Sequence, residues 1–304
     1  MATPGEPQQK PRVPLRLNVF TPDPATLLAR ARGLFAAEGF DFQMTVTPNS
    51  TEQMRGLGNG TYDVASTAFD NVLAWSGREG AEIVAVTQVA DGIVLPVFVR
   101  PEIHEWSDLH GKPLAADAVD TAFALVLRRI LLAHGLDMDR GDYKLVAVGA
   151  TSRRLDSMKS RETFAGILNP PIDAQAAAAG MVRFGDHREV LPDYPGGVFA
   201  VSRAWAQNHQ SELVGFLRAW FASILWASDP ANREEAVKLL AAAQNVSPQA
   251  AAGALAQLPK DGSLNVPGLQ SVLDLRTQFG FKLPMGTSRE RYYDTSYHRA
   301  ALGK

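Results

Sequence analysis

The sequence contains no cysteine in 304 residues, and this absence excludes several kinds of chemistry. Without thiols there are no disulfides, no thiolate metal ligands, no iron–sulfur cluster and no cysteine nucleophile. The lack of cysteine is compatible with an oxidising compartment but does not select one. Neither sign of charge dominates, with 30 Lys and Arg against 32 Asp and Glu, so nucleic acid is disfavoured as a partner.

Long apolar runs are also missing, and none approaches the ~18 residues of a membrane-spanning helix. A soluble protein is therefore expected, and 46% hydrophobic residues suffice for two packed lobes. The polar, proline-rich start has no basic and apolar signal segment, so the chain is either cytosolic or the mature form of an exported protein. This start, expected to form a flexible arm over residues 1–13, favours the periplasmic alternative over the cytoplasmic one.

Common catalytic and metal-binding motifs are absent as well. The sequence has no phosphate loop and no nucleophile elbow, and Gly56, Gly58 and Gly60 fall between a helix and a strand, unlike the glycines of a dinucleotide loop. The six histidines show no metal-ligand spacing. We therefore expect no metal, no cofactor and no catalytic residue.

The order of the predicted elements indicates an α/β protein. Alternation predicts a strand at Leu15–Phe20, and Asp23 followed by Pro24 predicts the N-cap of a helix that ends at Gly39. Repeated strand–helix–strand units then predict mostly parallel sheets with flanking helices. After a strand at Gly197–Val201 the chain is predicted to be almost entirely helical.

The stretch from Thr51 to Asn71 is central to the functional interpretation. A helix broken by glycine leads to a short strand at Tyr62–Ala65, and a small, hydroxyl-rich loop follows at Ser66–Phe69. Asp70 then resembles the cap of the next helix. Because open α/β sheets bind ligands at the carboxyl ends of their strands, this loop is a candidate ligand contact.

The same sequence of elements recurs roughly a hundred residues later. Leu34–Phe42 resembles Leu131–Met138, and each segment is followed by a strand, a polar helix start and a helix with a matching methionine. Thr61–Ala65 then matches Thr163–Ile167, so Asn169 occupies the position that corresponds to the Ser66–Phe69 loop. We interpret this repeat as a duplicated lobe.

The loops at the strand ends contain mostly neutral donors and acceptors, which suit a small polar or aromatic molecule. Asp23, Asp70 and Asp120 are adequately explained as helix caps. Arg153 either is solvated or reaches the cleft to meet an anionic ligand. The candidate ligand-binding residues are Thr21, Asp23, Asn49, Ser50, Ser66, Thr67, Ala68, Phe69, Asp91, Asp120, Thr121, Arg153, Asn169 and Tyr194.

Three segments resemble a known family. They are Gly56–Ala65, Ser107–Leu114 and the helix end at Ala133–Asp137, and the resemblance covers about residues 14 to 225. The chain resembles the type II periplasmic solute-binding proteins of ABC importers, in the nitrate, sulfonate and taurine branch related to the thiamine-precursor (NMT1/THI5-like) proteins.

The resemblance implies a two-lobed type II periplasmic-binding-protein fold with a helical C-terminal region. Lobe 1 would comprise residues 14–100 and 197–304, and lobe 2 residues 101–196, with crossovers near Val99–His104 and Asp193–Gly197. A solute, sulfonate-like or carboxylate-like if anionic, would be held in the cleft by lobe closure. A monomer that delivers this solute to an ABC permease in the membrane is implied.

Two other functions are compatible with such a scaffold. An enzyme, lyase-like or decarboxylase-like, would need a perturbed acid or base in the cleft, with Asp91, Asp117 and Arg153 as candidates. A cytosolic ligand sensor would need no transporter.

Overall fold

The computed structural model describes residues 12–303 and consists of two five-stranded sheets with helices around them. Val13 begins the first strand, so the predicted arm at 1–13 lies outside the described residues except for its last two. The strands are β1 (Val13–Val19), β2 (Phe40–Val46), β3 (Val64–Thr67), β4 (Ile83–Gln88), β5 (Pro96–Val99), β6 (Pro113–Ala116), β7 (Lys144–Ala147), β8 (Ala165–Ile167), β9 (Val182–Asp186) and β10 (Val198–Ser202).

The helices surround these sheets and dominate the last third of the chain. They are α1 (Pro24–Ala31), α2 (Leu34–Ala37), α3 (Ser50–Gly58), α4 (Phe69–Trp75), α5 (Ala122–Ala133), α6 (Thr151–Lys159), α7 (Ile172–Ala178), α8 (Arg203–Asn208), α9 (Gln210–Ser228), α10 (Arg233–Gln244), α11 (Pro248–Leu255), α12 (Val266–Gln278) and α13 (Ser296–Ala301). The predicted C-terminal helical region is confirmed.

The two sheets have equivalent topologies. The first has the strand order β2-β1-β3-β10-β4 and the second β7-β6-β8-β5-β9. In each sheet, the strands of the repeated unit pair in parallel. One antiparallel strand lies among them, β10 between β3 and β4 in the first sheet and β5 between β8 and β9 in the second. The strands that match across the predicted repeat, β2 with β7 and β3 with β8, occupy equivalent positions. We call the units around the two sheets lobe 1 and lobe 2.

The first crossover lies earlier than the sequence predicts. Strand β5 pairs with β8 and β9 of the second sheet, so the chain changes lobe between Gln88 and Pro96. The predictions of a crossover near Val99–His104, and of lobe 1 extending to residue 100, were wrong at this point. An apolar, β-branched strand fits the core of either sheet, and its sequence does not specify which one it joins. The second crossover spans 187–197, which includes Asp193–Gly197.

Local sequence explains most element boundaries. The helix predicted to run to Gly39 is interrupted at Gly33, whose φ of 69° lies in the left-handed region that favours glycine, and this divides it into α1 and α2. Asp23 caps α1 as predicted, accepting a 2.9 Å hydrogen bond from the Thr26 amide. Asn49 caps α3 by accepting a hydrogen bond from the Glu52 amide, so this helix begins before Thr51.

Apolar residues form the core on both sides of the first sheet. On one side α1, α2 and α9 cover it, and Trp220 on α9 is completely buried. On the other side a continuous cluster runs from α3 and α4 through the crossovers to α5 and α12 of the lobe interface. Helix α12 contacts both α4 of lobe 1 and α5 of lobe 2. The C-terminal region therefore packs against both lobes.

Candidate functional site

The strand directions bring the carboxyl edges of the two sheets together. Strand β4 ends at Gln88 and β5 begins at Pro96, whose register partner is Asp186 at the carboxyl end of β9. The second crossover likewise connects the end of β9 to the start of β10. Both connections join carboxyl edges, where open α/β sheets bind ligands, so the loops at these edges form the candidate site.

A buried ion pair lies where the lobes meet. Arg276 on α12 donates through Nη1 to Asp70 Oδ2 at 2.8 Å, and both side chains are at most 1% exposed. The same Nη1 donates to the Asp120 carbonyl oxygen of lobe 2 at 3.2 Å. One guanidinium therefore contacts helix α4 of lobe 1 and the start of α5 in lobe 2.

The polar capacity of this pair is only partly used. Within residues 12–303, Asp70 Oδ1 and the Nε and Nη2 atoms of Arg276 are buried without a hydrogen-bond partner. Burial raises the pKa of Asp70 to about 6, although the charge of Arg276 lowers it. Polar groups are costly to bury unless a partner satisfies them. Buried unsatisfied atoms and a shifted pKa are therefore features that indicate a functional site.

Tyr194 adds a further buried polar atom from the second crossover. Its side chain is 5% exposed, and no described residue forms a hydrogen bond with its hydroxyl. Burial raises the pKa of Tyr194, and the nearby negative charge of Asp70 raises it further. The hydroxyl is therefore neutral at ordinary pH and able both to donate and to accept.

The lobe 2 side of the site contains Asp117, which follows β6. Thr121, the buried N-cap residue of α5, donates its hydroxyl to Asp117 Oδ1. Removal from bulk water raises the pKa of Asp117, while the positive charge of Arg154 lowers it. The prediction that Asp120 caps α5 was wrong, because Thr121 occupies the N-cap position and Asp120 precedes it.

Arg154, the neighbour of the predicted Arg153, is the buried arginine of this edge. Its Nε donates to the Ile167 carbonyl oxygen at 2.9 Å and its Nη2 to Thr151 Oγ1 at 2.8 Å. Burial lowers the pKa of Arg154, and Asp117 opposes that shift. Arg153 is exposed, because successive helical residues point in different directions. Asn169 is connected to this group, since its Oδ1 accepts from Thr151 Oγ1 at 2.8 Å.

The Ser66–Phe69 segment is more regular than predicted. Ser66 and Thr67 belong to β3, Ala68 is the N-cap of α4, and buried Phe69 is its first residue. The prediction that Asp70 caps this helix was therefore wrong. Thr67 is buried and accepts through Oγ1 from Asn71 Nδ2 at 2.9 Å.

Two candidates on lobe 1 already have structural partners. Asp23 accepts from Trp220 Nε1 at 3.0 Å as well as from the α1 amide, so it connects α1 to α9. Asn49 bonds both the amide and the side chain of Glu52. Thr21 is exposed after β1, and Ser50 is the partly buried first residue of α3.

A separate cavity of about 320 Å³ lies between the two crossovers. It contains the predicted candidate Asp91, which is exposed, and buried His187, whose Nδ1 accepts from the Leu95 amide at 3.3 Å. Tyr194 lines this cavity, and the charge of Asp70 in the ion pair raises the pKa of its hydroxyl. The cavity lies at the connection between the lobes.

Sequence reasoning missed Arg276, although its spacing contains a signal. Leu269, Val272, Leu273 and Arg276 follow the spacing of a buried helical face, and all four are buried. A lone arginine on an apolar face needs a buried partner, but that partner, Asp70, is 206 residues away in the sequence. The sequence pattern therefore shows that Arg276 is unusual on this apolar face, but it does not identify Asp70 as its partner.

Two general searches set further bounds on the site. In the described part of the chain, no three His, Cys, Asp or Glu side chains are grouped so that they could hold a metal ion. No helix among residues 12–303 has the length and apolar character needed to cross a membrane.

Comparisons with known proteins agree with this architecture. A relative in Brucella abortus (strain 2308), provisionally named a binding protein, is 27% identical over 297 residues, covering 90% of this chain and 87% of its own. The alkanesulfonate-binding protein SsuA from Xanthomonas axonopodis pv. citri, solved bound to MOPS, superposes with a TM-score of 0.72 at 16% identity, covering 88% of this chain and 93% of its own.

A second solved structure extends the likeness over nearly the whole chain. The periplasmic nitrate-binding protein NrtA from Synechocystis PCC 6803 superposes with a TM-score of 0.76 at 12% identity, covering 96% of this chain and 89% of its own. At these identities the two structures establish the fold, which is the two-lobed periplasmic-binding-protein fold. The model of the NMT1-like family matches residues 8–241, and the chain therefore belongs to that family.

Proposed function

We propose that the protein is the solute-binding component of an ABC-type importer and that it holds a small polar or aromatic solute between its lobes. The observation that carries the proposal is the buried Asp70–Arg276 ion pair, which bonds lobe 2 through the Asp120 carbonyl. This pair and the buried Tyr194 hydroxyl have polar atoms without a partner among residues 12–303. A solute or ordered water bound there would satisfy hydrogen-bonding atoms that the described residues leave unpaired.

The mechanism follows from the two crossovers. Opening and closing about these connections changes the separation of the carboxyl edges, and a solute that contacts both lobes favours the closed state. Arg276 contacts groups on both lobes, so it can sense their separation. The closed form would then deliver its solute to a permease. Placement in the periplasm belongs to the same proposal and is supported by the periplasmic neighbours. A monomeric state is proposed with it.

Thermal denaturation across a library of small solutes tests this function. A solute at a hundred times its Kd stabilises the folded state by about 2.7 kcal/mol. The solute should be recovered chemically unchanged after long incubation. Conversion to a product would favour an enzyme, and stabilisation by no library member would contradict the proposal.

A further inference from the structure

The proposed function leaves the chemistry of the solute undefined, and the next inference rests on that function. We propose that the solute is an amino-carboxylate, with an ammonium and a carboxylate one or two carbons apart and an apolar body. The unpaired atoms of the Asp70–Arg276 pair, the charges around it and the apolar residues at the strand ends support this class.

The unpaired edge of Arg276 matches a carboxylate. Nη1 is committed to Asp70 and to the Asp120 carbonyl, whereas Nε and Nη2 have no acceptor among the described residues. A guanidinium binds a carboxylate through two parallel N–H bonds, and the Nε and Nη2 groups form such an edge. The face of the same guanidinium lies over the Phe281 ring, 5.1 Å from its centroid, and the edge is not used by that contact.

The unpaired oxygen of Asp70 matches an ammonium. Oδ1 is buried and accepts no hydrogen bond from residues 12–303. Asp117 and Asp120 lie close enough for their charges to raise the pKa of Asp70 further. An ammonium placed beside Asp70 would supply the missing donor and reduce the repulsion among these carboxylates. Because Asp70 and Arg276 are themselves bonded at 2.8 Å, the two charged groups of the solute must be close together.

Tyr194 is an independent sign that a polar solute belongs here. This side chain comes from the crossover and not from the helices of the ion pair, yet its buried hydroxyl also has no partner among residues 12–303. The charges of Asp70 and Asp117 raise the pKa of this hydroxyl, and the charge of Arg276 lowers it. Its hydroxyl could bond either the carboxylate or the ammonium of the solute.

The charge balance disfavours a simple anion. The charges of Asp117 and Asp120 raise the pKa of Asp70, so three carboxylates act on one another here, and the guanidiniums that act on them are those of Arg276 and Arg154. Arg154 donates mainly to backbone carbonyls, and Arg276 is paired with Asp70. A sulfonate or nitrate would satisfy the Arg276 edge but would leave Asp70 Oδ1 unpaired beside an added negative charge. An amine alone would leave the arginine edge unpaired.

Apolar side chains at the strand ends suit an apolar body. Phe20 follows β1, Val46 ends β2 and Val119 follows β6, and their exposed fractions are 39%, 66% and 48%. All three lie at or just after the carboxyl ends of parallel strands, the edges at which the candidate site is placed. Closure over an apolar body would bury part of this surface.

The test uses two matched series of pure compounds. L-Leucine is compared with isoamylamine and 4-methylpentanoate, and L-phenylalanine with phenethylamine, 3-phenylpropanoate and 2-phenylethanesulfonate. Calorimetric titration should show that at least one amino acid binds about tenfold or more tightly than its amine and its acid, since each of these lacks one charge-assisted contact.

Asp117→Asn should weaken that binding about fivefold or more, and Asp156→Asn, an exposed change on the same lobe, should leave it unchanged.

The contrary outcomes are equally defined. Tighter binding of an acid or of the sulfonate than of the amino acid, or no binding of either amino acid, would overturn the proposed class. A normal amino-acid affinity in D117N would overturn the role of that carboxylate. If another solute from the wider library binds, closes the lobes and is recovered chemically unchanged, the transport proposal survives even though the amino-carboxylate proposal fails. If no solute binds, both proposals fail.

Discussion

Arg276 and Asp70 form a 2.8 Å ion pair in which neither side chain is more than 1% exposed. The pair joins helix α12 to helix α4, and its arginine also bonds the Asp120 carbonyl of lobe 2. Since removal of one partner leaves an uncompensated buried charge, we expect Arg276→Met to destabilise the protein by about 3 to 5 kcal/mol. Urea denaturation followed by circular dichroism measures this loss. In the double variant D70L/R276M most of the loss should be recovered, and an additive double-mutant cycle would contradict the pairing.

The raised pKa of Asp70 predicts a specific pH dependence. A carboxyl whose pKa is about 6 in the folded state and near 4 in the unfolded state stabilises the fold most when it is protonated. Its contribution is therefore complete below about pH 4 and is lost as the pH rises through about 6. The difference in unfolding free energy between the wild type and D70N should fall by about 3 kcal/mol across that window. A difference that is constant from pH 4 to pH 7 would contradict the assignment.

Asp23 is expected to act through stability and not through binding. Its carboxylate accepts from the Thr26 amide and from Trp220 Nε1, so Asp23→Ala removes a helix cap and leaves a buried indole donor unpaired. We expect a loss of about 2 kcal/mol or more. Thermal denaturation measures it, with the exposed Asp41→Ala as the matched control. If the D23A variant binds the solute more weakly at a temperature where it is fully folded, Asp23 contributes to binding and this expectation is contradicted.

Gly196 should be irreplaceable at the crossovers. A Cβ at this position would overlap the Ala90 carbonyl oxygen and lie 2.8 Å from its carbonyl carbon, so Gly196→Ala must separate the two connections. We expect a stability loss of about 2 kcal/mol and altered solute affinity. Gly253→Ala on α11 is the control, because its Cβ meets nothing within 4 Å and should stabilise by about 0.5 to 1 kcal/mol. Equal effects of the two changes would contradict the close approach.

Much of the fold could be predicted because its signals are local. Alternation identified β1 nearly to its ends, and the chain after β10 is almost entirely helical as expected. The repeat identified equivalent strands because the duplicated lobes keep short local patterns. The sheet to which β5 belongs could not be predicted, because the pairing of Val97 with Ile167 and Gly185 depends on distant strands.

The site was harder to predict for the same reason. Asp70 resembled a cap because an acid precedes an apolar helical run, but the backbone starts the helix at Phe69. Arg153 and Arg154 are adjacent residues of the same type, so the sequence does not distinguish them. Only the orientation of α6 shows that Arg154 is the buried one. Thr67 is unsuitable as a position at which to block lobe closure, because a bulky residue at this buried site would disturb the fold itself. Asn169, which is partly exposed, remains the cleaner position at which to block closure.

Small-angle X-ray scattering with and without a stabilising solute tests lobe closure most directly. We expect the radius of gyration to decrease when the solute binds, and we expect Asn169→Trp to bind without this decrease while its circular dichroism stays that of the wild type. An unchanged radius of gyration in the wild type at saturating solute, confirmed by a raised melting temperature, would contradict the claim that the protein works by closing its lobes.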